Sequence, residues 1–337
     1  MTPLVVLDAD VIGRERTGDE THVENLLRTL PAAADGAFRF AAVTRHPELV
    51  PEGVEPLRLA AHRQELRMAW TLPRLLRRVR PALAHFQYAL PLACPCPAVV
   101  TVHDLSFERD PELMSRRDRA IFRVVVPRAV RRARVVFAVS ERTRRDLIDL
   151  YRTPADKIVV TPNAVDSAFT PDGEPDGYLL FVGAVQRRKN PLAAANAAKD
   201  VGLPLVVVGP EKEPELAREL ERRGADLRGY VEKAELAALY RRALCVVLPS
   251  RFEGFGLPVL EAMACGTPVV AADEPALREV GGDAAIYADD AGLADAVRRA
   301  LADRDAWSRA GVERARLFSW DETARRVVDG YRRALAA

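Results

Sequence analysis

The sequence has few of the features that mark secreted, membrane-spanning or metal-stabilised proteins. Only four of its 337 residues are cysteine, and Cys94 and Cys96 are too close along the chain for an ordinary disulfide bridge. No second Cys or His pair lies at zinc-finger spacing from them. No apolar run approaches the roughly 20 residues of a membrane span, and the first residues lack the layout of a signal peptide. We therefore expect reduced thiols, no metal site and a cytoplasmic protein.

Lysine is also scarce, and charge is unevenly spread. Only five of the 50 basic residues are lysine, and the formal net charge is +2. Residues 1–168 carry 26 Lys and Arg against 21 Asp and Glu, whereas residues 169–337 carry 24 against 27. Within residues 58–134, 16 Arg face 6 acids. A local excess of positive charge attracts an anionic partner or membrane surface, although arginine richness can also reflect genome composition.

The sequence also lacks a dinucleotide-binding glycine motif in the turn after the first predicted strand. A dinucleotide-dependent oxidoreductase needs a G-x-G-x-x-G turn there, and the segment from Gly13 to Gly18 does not supply one. The length of the chain suits two α/β domains, and its hydrophobic content of 49% and charged content of 29% are ordinary for a soluble globular protein.

The most informative stretch is residues 250–273, SRFEGFGLPVLEAMACGTPVVAAD. An apolar strand precedes it, and its pattern predicts a glycine loop, a helix over 258–264 and a further strand over 269–272. A glycine loop at a helix N-terminus favours an anion such as a phosphate. Glu253 and Glu261 flank the loop, and carboxylates in these positions can bind the neutral hydroxyls of a sugar. The alternative for each is a solvated surface charge.

At these residues the sequence resembles the retaining nucleotide-sugar glycosyltransferases of family 4, also called glycosyl transferases group 1. Their signature, two Glu separated by seven residues around Gly-Phe-Gly, is matched by Glu253 and Glu261 with the loop between them. The resemblance implies that Glu261 holds the donor ribose and that Glu253 contacts the transferred sugar. It also implies that the sugar and diphosphate meet the backbone of four residues, Gly254, Phe255, Gly256 and Leu257.

The resemblance further implies the GT-B fold, an α/β fold in which two Rossmann-like domains face each other across a cleft. We expect residues 1–168 to form the N-terminal acceptor domain and residues 169–319 the C-terminal donor domain. A C-terminal helix over 320–337 is expected to cross back to the N-terminal domain. Asn163-Ala164-Val165-Asp166 is similar to the family's Asn-Gly-Val-Asp turn, and the prolines and glycines of 171–177 predict the linker.

In the N-terminal domain the candidates follow predicted strands, where ligands collect in open α/β sheets. The loop before a helix predicted over 21–30 approaches the acceptor and the donor phosphates in the resembled family. Its candidates are Gly18, Asp19 and Glu20, and the alternative is a polar turn that caps the helix. His103 follows a strand where the family often has a His lining the sugar and acceptor pocket. For three residues near another strand end we leave function and structure open: His85, Gln87 and Tyr88.

In the donor domain the loop after the strand 178–182 is basic. In the resembled family this loop contacts the donor diphosphate, and Lys189 matches the family lysine. Ala184 stands where the family often has Arg, so Arg188 or Arg187 would supply the second charge. The resemblance adds as donor-binding residues Gly183, Ser250, Tyr230 and Val231, the last two meeting the nucleotide base through their backbone.

Two basic stretches, 67–80 and 115–134, mix apolar residues with arginines. A basic amphipathic helix can lie on an anionic membrane, and the alternative is a solvated helix face. We therefore consider peripheral contact with the inner face of the cell membrane. We expect no nucleic-acid partner.

The resemblance implies retaining transfer of a hexose from a nucleotide-diphosphate sugar to a hydroxyl of a glycan, glycolipid or small sugar. The predicted catalytic residues are His103, Glu253, Lys189 and Arg188. Lys189 and a neighbouring Arg would stabilise charge on the leaving diphosphate without a metal ion. The transfer itself would proceed by front-face substitution. GDP-mannose is the favoured donor and UDP-glucose the next, with no resident cofactor. The alternatives are a degenerate sugar-nucleotide-binding protein of the same fold, a GT-B phosphorylase and an inverting transferase.

Overall fold

The computed structural model describes residues 2–14, 17–59, 63–109 and 116–336. The chain divides into two compact units. Unit 1 comprises Met1–Asn163 and Trp320–Ala337, and unit 2 comprises Ala164–Ser319. The boundary thus lies between 163 and 164, whereas the sequence placed it between 168 and 169. The breaker-rich stretch after it is attached to unit 2, where Asp176 N donates to Arg242 O at 2.6 Å.

Within the described residues, unit 1 contains a seven-stranded parallel sheet. Its strands are β1 (Leu4–Asp8), β2 (Arg39–Thr44), β3 (Val54–Arg58), β4 (Leu83–Gln87), β5 (Ala98–Val102), β6 (Val135–Ala138) and β7 (Ile158–Val160). The spatial order is β3-β2-β1-β4-β5-β6-β7. Strands β5 and β6 are buried along their whole length and consist almost entirely of apolar residues, because both sheet faces are covered. The order reverses between β1 and β4, so the loops after these strands leave the sheet side by side.

The helices of unit 1 are α1 (Thr17–Ala34), α2 (Gln64–Leu66), α3 (Leu72–Val79), α4 (Ser106–Arg109), α5 (Arg116–Arg132), α6 (Glu141–Tyr151) and α14 (Trp320–Ala336), with a π-helical turn at Arg67–Thr71 joining α2 to α3. Leu26 and Leu27 of α1 pack with Val327 and Tyr331 of α14 in one buried cluster. The C-terminal helix therefore belongs to unit 1, as predicted.

Two helix predictions need correction. The loop predicted before residue 21 is instead the first turn of α1, which begins at Thr17 and continues through Pro31. Asp19 and Glu20 suit this turn, because acidic side chains near a helix N-terminus interact favourably with the helix dipole. The basic helix predicted over 115–134 spans 116–132 and continues across Pro127; Ser115 lies outside the described residues, as do Glu15 and Arg16 of the first loop.

Unit 2 contains a six-stranded parallel sheet formed by β8 (Tyr178–Val182), β9 (Leu205–Val208), β10 (Asp226–Gly229), β11 (Ala243–Leu248), β12 (Val269–Ala272) and β13 (Ile286–Ala288). Its helices are α7 (Pro191–Val201), α8 (Pro214–Arg222), α9 (Lys233–Arg242), α10 (Leu257–Ala264), α11 (Pro275–Gly281), α12 (Leu293–Ala302) and α13 (Arg304–Ala315). The spatial order β10-β9-β8-β11-β12-β13 reverses between β8 and β11. The loops after these two strands therefore leave the sheet next to each other.

Each unit is thus a parallel sheet with helices on both faces, which confirms the predicted pair of Rossmann-like domains. None of the helices described here is long and apolar enough to cross a membrane.

Candidate functional site

The two loops at the switch point of unit 2 bring one carboxylate and two cations together. Lys189 Nζ donates to both carboxylate oxygens of Glu253, at 2.5 and 2.6 Å. Arg188 Nη1 lies 3.6 Å from Glu253 Oε2 and donates to Phe252 O at 2.7 Å. Arg251 N also donates to Arg188 O at 2.9 Å, which joins the two loops through their backbones. The structure therefore assembles three of the four predicted catalytic residues.

Glu253 is buried but remains charged. Burial alone would raise the pKa of its carboxyl, but the positive charges of Lys189 and Arg188 outweigh burial and hold that pKa below its ordinary value. The cluster of Arg188, Lys189 and Glu253 carries two positive charges and one negative charge at neutral pH. Its excess charge is positive, which favours an anionic ligand.

Gly256 shapes the loop beside this cluster. Its φ is 109°, and a Cβ at this position would lie 2.9 Å from Leu277 Cδ2. Helix α10 begins at the next residue, Leu257, and has no side-chain cap. The first turn of α10, with its N–H groups, therefore follows directly on the Gly254-Phe255-Gly256 loop, the arrangement that the sequence predicted.

Glu261 lies within α10 and is almost fully buried. Tyr240 donates its hydroxyl hydrogen to Glu261 Oε2 at 2.8 Å. Burial raises the pKa of Glu261 to about 7, although the Tyr240 hydrogen bond and the charge of Lys233 act in the opposite direction. At neutral pH this carboxyl therefore lies close to its midpoint of ionisation. The sequence did not indicate that Tyr240 is its partner, because the two residues are on different helices.

The remaining predicted donor residues lie where the strands of unit 2 end. Gly183 follows β8 and begins the loop that carries Arg188 and Lys189, and Ser250 follows β11 in the loop that carries Glu253. Tyr230 and Val231 follow β10, and the Tyr230 side chain is partly exposed. Strand β10 stops at Gly229, so the backbone of Tyr230 and Val231 lies outside the sheet.

In unit 1, His103 lies directly after β5 and is enclosed by polar and aromatic side chains. Its Nε2 is 2.8 Å from Gln87 Oε1, and its Nδ1 is 3.7 Å from Asp19 Oδ1. The Tyr88 ring packs against it with 5.4 Å between ring centroids. Burial lowers the pKa of His103 to about 4, although Asp104 opposes this shift. His103 is therefore a neutral imidazole at neutral pH.

His22 on α1 supports His103 and was not among the predicted residues. The two rings are perpendicular, with 4.9 Å between centroids, and His22 Nδ1 lies 2.7 Å from Asn163 Oδ1. Burial lowers the pKa of His22 to about 3. His22 follows Asp19 by three residues, so both lie on one helix face. A correct helix start at Thr17 would have shown that Asp19 and His22 share a face, but not that this face contacts His103.

The other predicted residues of unit 1 have structural contacts. Glu20 Oε1 accepts a hydrogen bond from Gly13 N at 2.6 Å, and Gly18 lies in the first turn of α1. Tyr88 has a positive φ of 58°, and its hydroxyl oxygen accepts from Asp104 N at 3.1 Å. His85 is fully buried between the Tyr331 and Thr101 hydroxyls, each 2.7 Å away, so the structure places it in the core.

An Asp-x-Asp triplet, Asp8-Ala9-Asp10, lies at the end of β1. The expectation of metal-independent transfer assumed that no such triplet follows a strand, and that assumption is wrong. Arg67 is completely buried and pairs with both oxygens of Asp8. Arg45 Nε donates to Asp10 Oδ1 at 2.9 Å, and Arg14 pairs with Asp10 as well. Arginines thus occupy both carboxylates. In the described part of the chain, no group of three or more His, Cys, Asp and Glu could hold a metal ion.

Comparison with known proteins agrees with these two units. A family model described as Glycosyltransferase Family 4 matches residues 16–169, and one described as Glycosyl transferases group 1 matches residues 176–303. An O-antigen chain mannosyltransferase B of Escherichia coli is 31% identical over 268 residues, which cover 70% of each chain. The chain belongs to glycosyltransferase family 4. A D-inositol 3-phosphate glycosyltransferase of Frankia alni is 36% identical to this glycosyltransferase over 242 residues, covering 60% of this chain and 59% of that one.

Solved structures show that the family 4 glycosyltransferase has the GT-B fold. A sucrose-phosphate synthase from Thermosynechococcus elongatus superposes with a TM-score of 0.79 at 20% identity, over 100% of both chains. The Anabaena protein HepE, solved in complex with UDP and glucose, superposes with a TM-score of 0.72 at 16% identity, over 98% of this chain and 100% of that one. The fold class predicted from the sequence is confirmed.

Proposed function

We propose that this glycosyltransferase moves a hexose from a nucleotide-diphosphate sugar to a hydroxyl of a glycan, glycolipid or small sugar, with retention at the anomeric carbon. The observation that carries the proposal is the cluster of Arg188, Lys189 and Glu253 beside the first turn of α10. In this proposal, unit 2 binds the donor and unit 1 binds the acceptor.

The cluster suits the diphosphate of a sugar nucleotide. Negative charge grows on the diphosphate as the bond to the sugar breaks, and fixed cations stabilise that charge most in the transition state. Lys189 and Arg188 are held in place by Glu253 and by the Phe252 carbonyl, so little reorganisation is needed. We propose that these cations perform this task without a metal ion, which an assay in EDTA tests directly.

The two glutamates would bind hydroxyl groups. The ionised Glu253 can accept hydrogen bonds from the transferred sugar, and its ion pair with Lys189 makes it a poor nucleophile, which favours front-face substitution. Glu261 would accept hydrogen bonds from the ribose. Because donation from hydroxyls favours the carboxylate, ribose binding should lower the pKa of Glu261.

His103 would line the pocket for the sugar and the acceptor. A neutral imidazole can exchange hydrogen bonds with sugar hydroxyls, and its low pKa keeps it neutral over the whole physiological range. Asp19 Oδ1 lies 3.7 Å from His103 Nδ1, and Asp19 would contact the same ligand. Gly18, Glu20 and Tyr88 would shape the wall of this pocket through the contacts described above.

We favour GDP-mannose as the donor because the Escherichia coli relative is a mannosyltransferase, and we place UDP-glucose next because the Anabaena protein was solved with UDP and glucose. The proposed acceptor is a glycan or a lipid-linked sugar, and the proposed partners include an anionic membrane surface. Ala184 stands where the family often has Arg, so of this loop only Arg188 and Lys189 are seen next to Glu253. This favours a second candidate: a protein that binds sugar nucleotides without transferring the sugar.

A thermal-shift panel of GDP, UDP, ADP and their sugar conjugates, with and without Mg²⁺, tests donor binding. A ligand at 100 times its dissociation constant stabilises the folded protein by about 2.7 kcal/mol. We expect a clear shift with one nucleotide, independent of Mg²⁺. The absence of any shift would contradict the proposal, and a shift without sugar transfer to any acceptor would favour the second candidate.

A further inference from the structure

The two cysteines of the Cys94-Pro95-Cys96 segment have no role in the proposed transfer, yet the structure brings their side chains together. The segment lies in the loop between β4 and β5. The two Sγ atoms are 4.0 Å apart, and Cys94 Sγ also donates to Cys96 O at 3.4 Å. Both residues are half-buried free thiols. A shift of about 2 Å would bring the two sulfur atoms to bonding distance.

The backbone around these two cysteines is held in place. Each cysteine precedes a proline, Pro95 or Pro97, and a residue before proline is restricted to extended conformations. The segment is also bonded on both sides, because Leu92 N donates to Met68 O at 3.2 Å and Ala84 N donates to Pro97 O at 3.0 Å. The short distance between the sulfur atoms is therefore a property of a stiff segment.

The two thiols differ in acidity. A hydrogen bond from the Cys96 thiol holds the pKa of Cys94 below its ordinary value, and the charge of Arg132 acts in the same direction, although burial opposes both. The same contact with Cys94 raises the pKa of Cys96. Cys94 is thus the better nucleophile at neutral pH, because the thiolate is the reactive form. Among the described residues, no group of three or more His, Cys, Asp and Glu could hold a metal ion, which favours chemistry between the two sulfur atoms.

We propose that Cys94 and Cys96 form a site of reversible oxidation, at which a peroxide converts the two thiols to an intramolecular disulfide. The Cys94 thiolate attacks one oxygen of hydrogen peroxide: an S–O bond forms, the O–O bond breaks, and the second oxygen leaves as water with the proton that Cys94 released. Cys96 then attacks the Cys94 sulfur: the S–S bond forms, the S–O bond breaks, and the hydroxyl leaves as a second water with the Cys96 proton. Two electrons pass from the sulfur atoms to the peroxide.

The spacing of the two cysteines makes this bridge reversible. A bridge across one intervening residue departs from ordinary disulfide geometry, and such bridges are reduced more easily than structural ones. The spacing that argues against an ordinary bridge is therefore compatible with a transient one. Cys245 and Cys265 differ, because each is almost completely buried and burial raises the pKa of each to about 12. They should react slowly and serve as internal controls.

Peptide mass spectrometry of the full chain tests the proposal in the absence of any sugar nucleotide. The folded protein is treated with hydrogen peroxide, the excess is destroyed with catalase, and the remaining thiols are alkylated in denaturant. We expect the peptide that contains Cys94 and Cys96 to lose two hydrogens and both alkylation sites, and dithiothreitol to restore them. In the same digest Cys245 and Cys265 should remain alkylated.

Two single variants separate the steps. In Cys96→Ser, oxidation of Cys94 should stop at the sulfenic acid, which dimedone traps. In Cys94→Ser, the remaining Cys96 thiol should be oxidised at least roughly tenfold more slowly than the pair in the wild-type chain.

Four results would overturn the proposal: both cysteines still alkylated after peroxide, a bridge between two chains, sulfinic acid in place of the bridge, or equal oxidation of Cys245 and Cys265. Undiminished oxidation of Cys96 in Cys94→Ser would overturn the role of Cys94 as the attacking thiol. Donor binding is measured separately, by thermal shift of the reduced protein, so its failure leaves this test unaffected.

Discussion

Replacing Glu261 with Gln tests the proposed ribose contact through its dependence on pH. Glutamine keeps the size of the side chain and an oxygen that can accept the Tyr240 hydrogen bond, but it cannot ionise. In the folded protein the pKa of Glu261 is about 7, against an ordinary value of 4.5, mainly because the carboxyl is buried. The ionised form is therefore less stable in the folded state than in the unfolded state.

The sign and size of the effect follow from this difference. Below pH 4.5 the neutral Glu261 carboxyl makes its full contribution to the free energy of unfolding. This contribution is lost as pH rises from 4.5 to 7, because the carboxyl releases its proton at lower pH in the unfolded chain than in the folded protein. At about 1.4 kcal/mol for each pH unit, the loss amounts to roughly 3 kcal/mol. The glutamine variant does not lose this stability, because glutamine cannot ionise. Whatever its stability relative to wild type at pH 4.5, it should therefore gain on the wild-type protein by about this amount by pH 8.

Two assays follow the change. Melting temperatures of both proteins between pH 4.5 and 8 should diverge as pH rises, and a constant difference would refute titration of Glu261 in this range. Nucleotide affinity of the wild-type protein should increase between pH 6 and 8, since the ribose favours the carboxylate. The phosphate groups also titrate near pH 6, so the variant is the control: it should bind more weakly and with less pH dependence. Unchanged affinity would refute the ribose contact.

Three further substitutions test other parts of the site. Lys189→Met should destabilise the protein by several kcal/mol, because Glu253 stays buried with one cation fewer. The double variant Lys189→Met/Glu253→Gln should regain most of the melting temperature but no transfer activity. Recovered activity in the double variant would contradict the proposed roles of Lys189 and Glu253. Gly256→Ala should lower the stability of the folded protein by about 1–3 kcal/mol, because alanine is strained at this positive φ. The control Gly18→Ala should not destabilise the protein, because a Cβ there meets nothing within 4 Å. Equal melting temperatures of the two variants would contradict this prediction. His22→Phe should lower kcat about tenfold without changing donor affinity, and an unchanged kcat would show that His22 has no positioning role.

Much of the fold could be predicted because its signals are local. Buried parallel strands such as β6 and β11 are continuous apolar runs, and the glycine loop before α10 carries its turn residues in order. Two edge strands gave weaker signals. Strand β3 contains Pro56 and mostly exposed side chains, which only an edge strand tolerates, and β13 has three residues.

The parts of the site that sequence analysis missed depend on contacts between distant segments. Tyr240 on α9 donates a hydrogen bond to Glu261 on α10, and His22 contacts Asn163, which lies far from it along the chain. Arg67 was grouped with the exposed basic residues, but it is buried because Asp8 offers both carboxylate oxygens. Neither periodicity nor spacing contains this information, since the same sequence pattern fits a solvated helix.

The central claim is that the chain transfers a hexose from a nucleotide-diphosphate sugar with retention. Proton NMR of a reaction containing GDP-mannose or UDP-glucose, EDTA and a panel of sugar acceptors tests it most directly. The account predicts release of the nucleoside diphosphate together with a new glycoside whose anomeric configuration equals that of the donor. A glycoside of opposite configuration, or no glycoside from a donor that stabilises the protein, would contradict it.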